Sequence, residues 1–172
     1  LSLHDALPIL SSVWASWHGP KVDQTSLPRT SCEVIVSDVL LGEGRNYQIL
    51  GDGPIVHCRV SARADLTMAE GAACAAEMLQ HLSNRAKQES IKGLVFDIRS
   101  GPRIAGPKTQ DLLSQLFRVW AAQGKRVGIL VADPMQELQF QRLATDTMRG
   151  LFVVARNEPD VRKFLTGAMV SK

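Results

Sequence analysis

A chain of 172 residues, 45% hydrophobic and 22% charged, has the size of one domain built on a single core. Its formal net charge of +3 comes from Lys and Arg scattered along the sequence, so the clustered basic stripe of a nucleic-acid binder is missing, and no apolar run approaches the roughly 20 residues needed to cross a bilayer. Cys32, Cys58 and Cys74, and His4, His18, His57 and His81, are dispersed; they form no metal-ligand spacing and no readable triad, and suit reduced, structural thiols in a cytoplasm.

The first stretch, "LSLHDALPI" (Leu1 to Ile9), is spelled in one frame by CTT TCC CTA CAC GAC GCT CTT CCG ATC T, which resembles a short-read sequencing adapter. It is read as a scar and set aside, as a tag would be. The expected organisation is therefore 1–9 adapter-derived scar, 10–45 disordered or non-native leader, and 46–172 folded domain. In the leader, "HGPKVDQTSLPRTS" has no sustained period, although "CEVIV" could add an edge strand, and a GTG start at Val36 would discard Leu10 to Ile35. A basic leader and a cleavage site, the marks of a signal peptide, are not seen.

From Asn46 the pattern becomes orderly. "NYQIL" and "PIVHCRV" read as strands joined by "GDG", whose two glycines permit the backbone angles of a tight hairpin. In the second strand Val56, Cys58 and Val60 share the core face, with His57 and Arg59 opposite. "LTMAEGAACAAEMLQHLSNRAKQ" is a helix opened by a Thr67/Glu70 capping box; Ala72, Ala75, Ala76, Leu79 and Leu82 form a shallow face that can lie close to a sheet. "IKGLVFDIRS" is a strand covered on both sides.

A second helix runs from near Pro107 to before Gly124, burying Leu112, Leu113, Leu116, Phe117, Trp120 and Ala121. "KRVGILVAD" is the next strand. Asp133, Pro134 and Gln136 look like N-cap, first helical residue and capping-box partner of a third helix. "LFVVA" closes the sheet, and Asn157 and Asp160 open a last helix that returns Val161, Phe164 and Leu165 to it. The order β β α β α β α β α predicts an α/β fold: a mixed, mostly parallel sheet with an N-terminal β-hairpin and about four helices.

This order, with "SARADLTMAEGA", "GLVFDIRSGPRIAG", "GKRVGILVADPMQELQFQRL" and "LFVVARNEPDVRKFL", resembles the STAS domain shared by sulfate transporter tails and anti-sigma-factor antagonists, over Tyr47 to Leu165. The resemblance implies a bacterial, cytoplasmic, regulatory module that contacts another protein through the loop before the second helix. Antagonist-type members commonly carry Asp-Ser-Ser-Gly there, and a kinase phosphorylates one Ser. Here the matching place reads Ile104, Ala105, Gly106, Pro107, Lys108, so the usual serine switch is not expected; Thr109 and Ser100 are the nearest hydroxyls.

The expected activity is thus non-enzymatic protein contact, with Arg99, Ser100, Arg103, Gly106, Lys108 and Thr109 as the interaction or anion-binding residues. The alternative is a small anionic ligand module, for a nucleotide or lipid headgroup, that uses the N-terminus of the second helix, where free amides and nearby cations favour negative charge. A hidden hydrolase or transferase site is the third reading. No cofactor, metal, nucleic acid or membrane insertion is expected, and a homodimer is compatible with the sequence. Asp97, at a strand end like a phosphoacceptor aspartate, lacks the paired acidic residues of that chemistry and is read as structural; "GEGRNYQILGDG" is read as linker plus hairpin rather than a phosphate loop.

Overall fold

The computed structural model describes residues 38–103, 105–143 and 148–167; the adapter-like stretch, the leader up to 37, and Ile104 lie outside the described residues. Along the chain come β1 (Val39–Glu43), β2 (Tyr47–Asp52), β3 (Ile55–Val60), α1 (Met68–Ala86), β4 (Gly93–Asp97), α2 (Pro107–Ala122), β5 (Arg126–Leu130), α3 (Pro134–Leu143), β6 (Phe152–Ala155) and α4 (Glu158–Leu165). The fold is α/β, with one six-stranded sheet in the order β1-β2-β3-β4-β5-β6. It is antiparallel across β1, β2 and β3 and parallel from β3 to β6.

The sheet begins before Asn46, where the sequence pattern becomes orderly. β1 leaves little mark on the sequence because its alternation is weak: Val39 and Leu40 are 60% and 53% exposed, and a bulge between Leu40 and Gly42 breaks the register. In the next turn only Gly53 takes a positive φ, 56°. Gly51 instead stays in β2, where an added Cβ would come within 3.1 Å of Leu41 Cδ1.

Sequential strand order decides where the helices go. Each parallel crossover from β3 to β6 steps in the same direction, and right-handed crossovers that step the same way place their helices on the same face. α1, α2 and α3 accordingly share one side, around Val56, Cys58, Leu94, Phe96, Val127 and Ile129. Trp120, Leu116 and Phe117 of α2 are wholly buried there, and Phe117 meets Phe96 edge-on at 5.7 Å and 78°. The opposite face, with Ile55, Val95 and Leu130, is covered by Val161 and Leu165 of α4.

Local chemistry sets the helix ends. Thr67 Oγ1 accepts from the Glu70 amide at 3.2 Å while Glu70 Oε2 accepts from the Thr67 amide at 2.8 Å, closing the capping box. α2 has Pro107 in its first turn, and Gly124 follows it with φ 65°. Asp133 and Asn157 cap α3 and α4. Two details depart from the sequence pattern. Ala76 of α1 points outward, and Cys74, Met78 and Ala86 are buried with Ala72, Ala75 and Leu82, because α1 packs against both the sheet and α2 and so buries a wider arc than one stripe. Gln136 does not bond the Asp133 amide; it turns inward and accepts from Ala132 N at 2.8 Å.

Candidate functional site

The loop between β4 and α2 crosses the C-terminal ends of the parallel strands, and three glutamines hold its backbone. Gln136 of α3, 1% exposed, donates to Ile98 O at 3.3 Å and lies 3.5 Å from Pro102 O. Gln110 donates to Ala105 O at 2.7 Å. Gln139, with its amide turned to suit its neighbours, donates to Arg103 O at 3.3 Å and accepts from Ala105 N and Gln110 Nε2, both at 3.1 Å. Gln136 is buried and Gln110 and Gln139 are half-buried, and their amides satisfy loop groups that would otherwise be costly to cover. Nothing in the sequence pattern marks these three as a unit.

The six residues expected to form one contact site divide into four settings. Arg99 folds back on Asp97, with Nη2 at 2.6 Å from Oδ2 and Nε at 3.0 Å from Oδ1, and lies 3.8 Å from Glu158. Ser100 is exposed, and its carbonyl accepts from the Ala62 amide. Arg103 stands out into solvent, its side chain 86% exposed and 3.9 Å from Asp133. Gly106, Lys108 and Thr109 border a cavity between the first halves of α1 and α2.

That cavity holds about 480 Å³, and its wall is apolar apart from Asn46, Lys108 and Thr109. Space remains there because four of the α1 residues on its wall, Ala69, Gly71, Ala72 and Ala75, carry nothing larger than a methyl group. The space lies between these small side chains, the start of α2 and Val60, Phe96 and Ile98. At the start of α2 the N-cap is Gly106, no side chain bonds the free amides, and the first turn has no acidic residue.

A second cavity, about 610 Å³, adjoins the first at Asn46 and Val60 and is polar. Arg45, Arg59, Arg63 and Arg99 line it, and each is committed to a carboxylate. Arg45 pairs with Glu70 at 2.9 Å, Arg59 with Asp38 at 3.6 Å and Arg63 with Asp65 at 2.9 Å. The Arg63 guanidinium holds the Asp65 carboxyl down to about 2, and the Thr67 amide and hydroxyl together with Arg45 do the same for Glu70. Anions entering this cavity would compete with four resident carboxylate pairings.

Beneath α4 lies a buried imidazole and carboxylate. His57, 2% exposed, sits under the helix, so the sheet face opposite the core residues of β3 is covered as well. Its Nε2 faces Asp97 Oδ2 at 3.7 Å and has no hydrogen-bond partner. Burial acts to raise the Asp97 carboxyl, but the His57 imidazole and the Arg99 guanidinium and amide outweigh it and hold it well below the usual carboxylate range. This pair has the elements of general base chemistry; the imidazole is 2% exposed, while Asp97 borders the second, polar cavity.

Cys58 is wholly buried against Met78, with Sγ 3.5 Å from Sδ; burial, and then the Asp97 charge, push its thiol far above the ordinary range, which keeps it protonated and unreactive. Cys74 is also buried and free. Among the described residues no three His, Cys, Asp or Glu side chains cluster as a metal site, and no helix is long and apolar enough to cross a membrane. No protein-family model matches the chain, and neither does any curated protein.

Proposed function

We propose that the chain is a non-enzymatic, STAS-like regulatory module that works by contact with another protein through the loop before α2. The carrying observation is the glutamine-held loop itself: on either side of residue 104 its described backbone is held by Gln110, Gln136 and Gln139, at Ile98, Arg103 and Ala105, while Arg103 projects into solvent. A contact surface whose backbone is already ordered loses less conformational entropy when a partner docks. The element order agrees with the order on which the likeness to the STAS domain rests, and the absence of serine from Ile104 to Lys108 separates the contact from the phosphorylation that antagonist-type members use.

A photo-cross-linking amino acid at Arg103, and separately at the exposed Gln115 on α2, tests the reading in native cells. Cross-linking to a discrete protein from the first position only, abolished by the double reversal R103E/K108E at unchanged melting temperature, is the expected result. Equal products from both positions, or none from the loop, would overturn it. A second reading, a module for a small anionic ligand, is favoured by one observation: Lys108 and the uncapped start of α2 stand beside the apolar cavity.

A further inference from the structure

We propose that the cavity between α1 and α2 binds a small amphiphilic carboxylate, of the class of fatty or arylalkyl acids, with its apolar body inside and its carboxylate beside Lys108. This deepens the second of the two readings above and is independent of the protein contact, so failure of cross-linking and failure of ligand binding are separate results.

The volume of about 480 Å³ lies within the range of roughly 300 to 1,000 Å³ typical of small-molecule sites. The wall can solvate a hydrocarbon body: Met78, Phe96, Leu113 and Phe140 are buried side chains that border it. A dry apolar void is a stability cost, because lining atoms forgo contacts, and the rest of this face is filled by bulky residues such as Trp120 and Phe117. Gly71 sharpens the point. It lies inside α1, where glycine is unfavourable relative to alanine, and a Cβ at that position would meet no atom within 4 Å. Neither backbone angle nor steric contact requires glycine there, so the space beside it is kept open against helix propensity.

The headgroup follows from charge. Lys108 is the single ionic residue on the wall, and it makes none of the ion pairs found among the described residues. One ammonium, without an arginine fork, suits a monoanion better than a phosphate dianion. At the mouth, Met68 is 83% exposed, and its Cε lies 3.7 Å from where a Gly106 Cβ would stand, so a flexible thioether spans from α1 to the start of α2. Such a side chain can turn aside for a ligand and settle on it afterwards.

The test titrates the full chain with decanoate and with decan-1-ol, below their aggregation limits, by calorimetry and by amide shifts in nitrogen-15 spectra. Decanoate should bind at one saturable site with shifts centred on Gly71, Ala75 and Thr109, and more tightly than the alcohol. Gly71→Phe should weaken binding of both at least tenfold; Gly71→Ala, which the helix accepts readily, should weaken it by a smaller factor and covers the case in which the larger variant misfolds. Lys108→Glu should weaken decanoate at least tenfold and leave decan-1-ol unchanged. Absence of saturable binding, binding indifferent to both Gly71 variants, or a decanoate affinity equal to that of the alcohol and insensitive to Lys108→Glu would each overturn the proposal.

Discussion

Against α1, α2 and α3 the sheet meets aromatic and aliphatic bulk: Phe117 packs on Phe96, Phe140 and Phe152 at centroid distances of 5.7, 6.4 and 5.4 Å. Beneath α4 the same sheet presents His57, Asp97, Gly93 and Gly128, and the eight-residue helix contributes only Val161 and Leu165 as buried side chains. Polar ties complete that second face, with Arg162 bonding Asp52 at 2.6 Å and Arg126 donating to Phe164 O at 2.7 Å. On the wide face each large side chain contributes about 1.5 to 3 kcal/mol by burial, enough to absorb an unfilled cavity. On the narrow face, where partly exposed ion pairs contribute about 0.2 to 1 kcal/mol each, close fit has to substitute for area.

Trp120→Ala should have the largest effect, a loss of about 3 to 5 kcal/mol in urea unfolding, because it empties the middle of the wide face. A loss under about 1 kcal/mol, the size of a surface change, would mean that bulk is not what holds that side. Gly128→Ala comes next. The new Cβ would lie within van der Waals overlap of Val161 Cγ1, a β-branched side chain with little freedom to turn, and the cost should be about 1 to 3 kcal/mol. Hydrogen exchange distinguishes the faces: α4 amides should lose protection while α1 and α2 keep theirs.

Acid should act on the narrow face as well. The Asp97 carboxyl is lower in the folded chain than its ordinary 3.8, so below that pH the unfolded chain binds the extra proton and stability falls. Its contribution is complete above about pH 4 and is lost as pH drops further; unfolding curves at pH 5 and pH 3 should diverge less in Asp97→Asn. To the slope that survives, Glu70, Asp65 and Glu158 all contribute in the same direction. The smallest change should be a gain: Gly71→Ala should stabilise the chain by about 0.5 to 1 kcal/mol in thermal melts, through helix propensity at a place where no neighbour objects.

What could be read from the sequence were the features whose cause lies within a few residues. Thr67 and Glu70 are three positions apart and close their own capping box; Gly124 and Asn157 mark helix ends by backbone rules alone. Strand alternation correctly separated Val56 and Cys58 from His57, but it could not say that α4 covers the other side, because that cover arrives about a hundred residues later in the chain. Helical spacing puts Ala76 on the same stripe as Ala72 and Leu79, and alanine, small enough for core or surface, gives no sign that Ala76 points out. The cavity was illegible for a related reason: small residues announce close approach or open space equally well, and only the position of α2 decides. Likewise Gln110, Gln136 and Gln139 carry no periodic signal, since each bonds to loop backbone rather than to a patterned partner.

Because neighbours in the sheet are also neighbours in the chain, synthesis from the ribosome can proceed by accretion, each new strand laid on a finished one without waiting for a distant mate. Among the links that must wait for α4 is the Arg162 to Asp52 bond, whose residues stand 110 positions apart. It works as a clasp between the last helix and the first hairpins, formed when everything between them is already in place. A nascent chain paused after β6 would therefore carry a complete sheet with one flank bare, leaving Val95 and Leu130 open to chaperones until the final ten residues of the fold emerge.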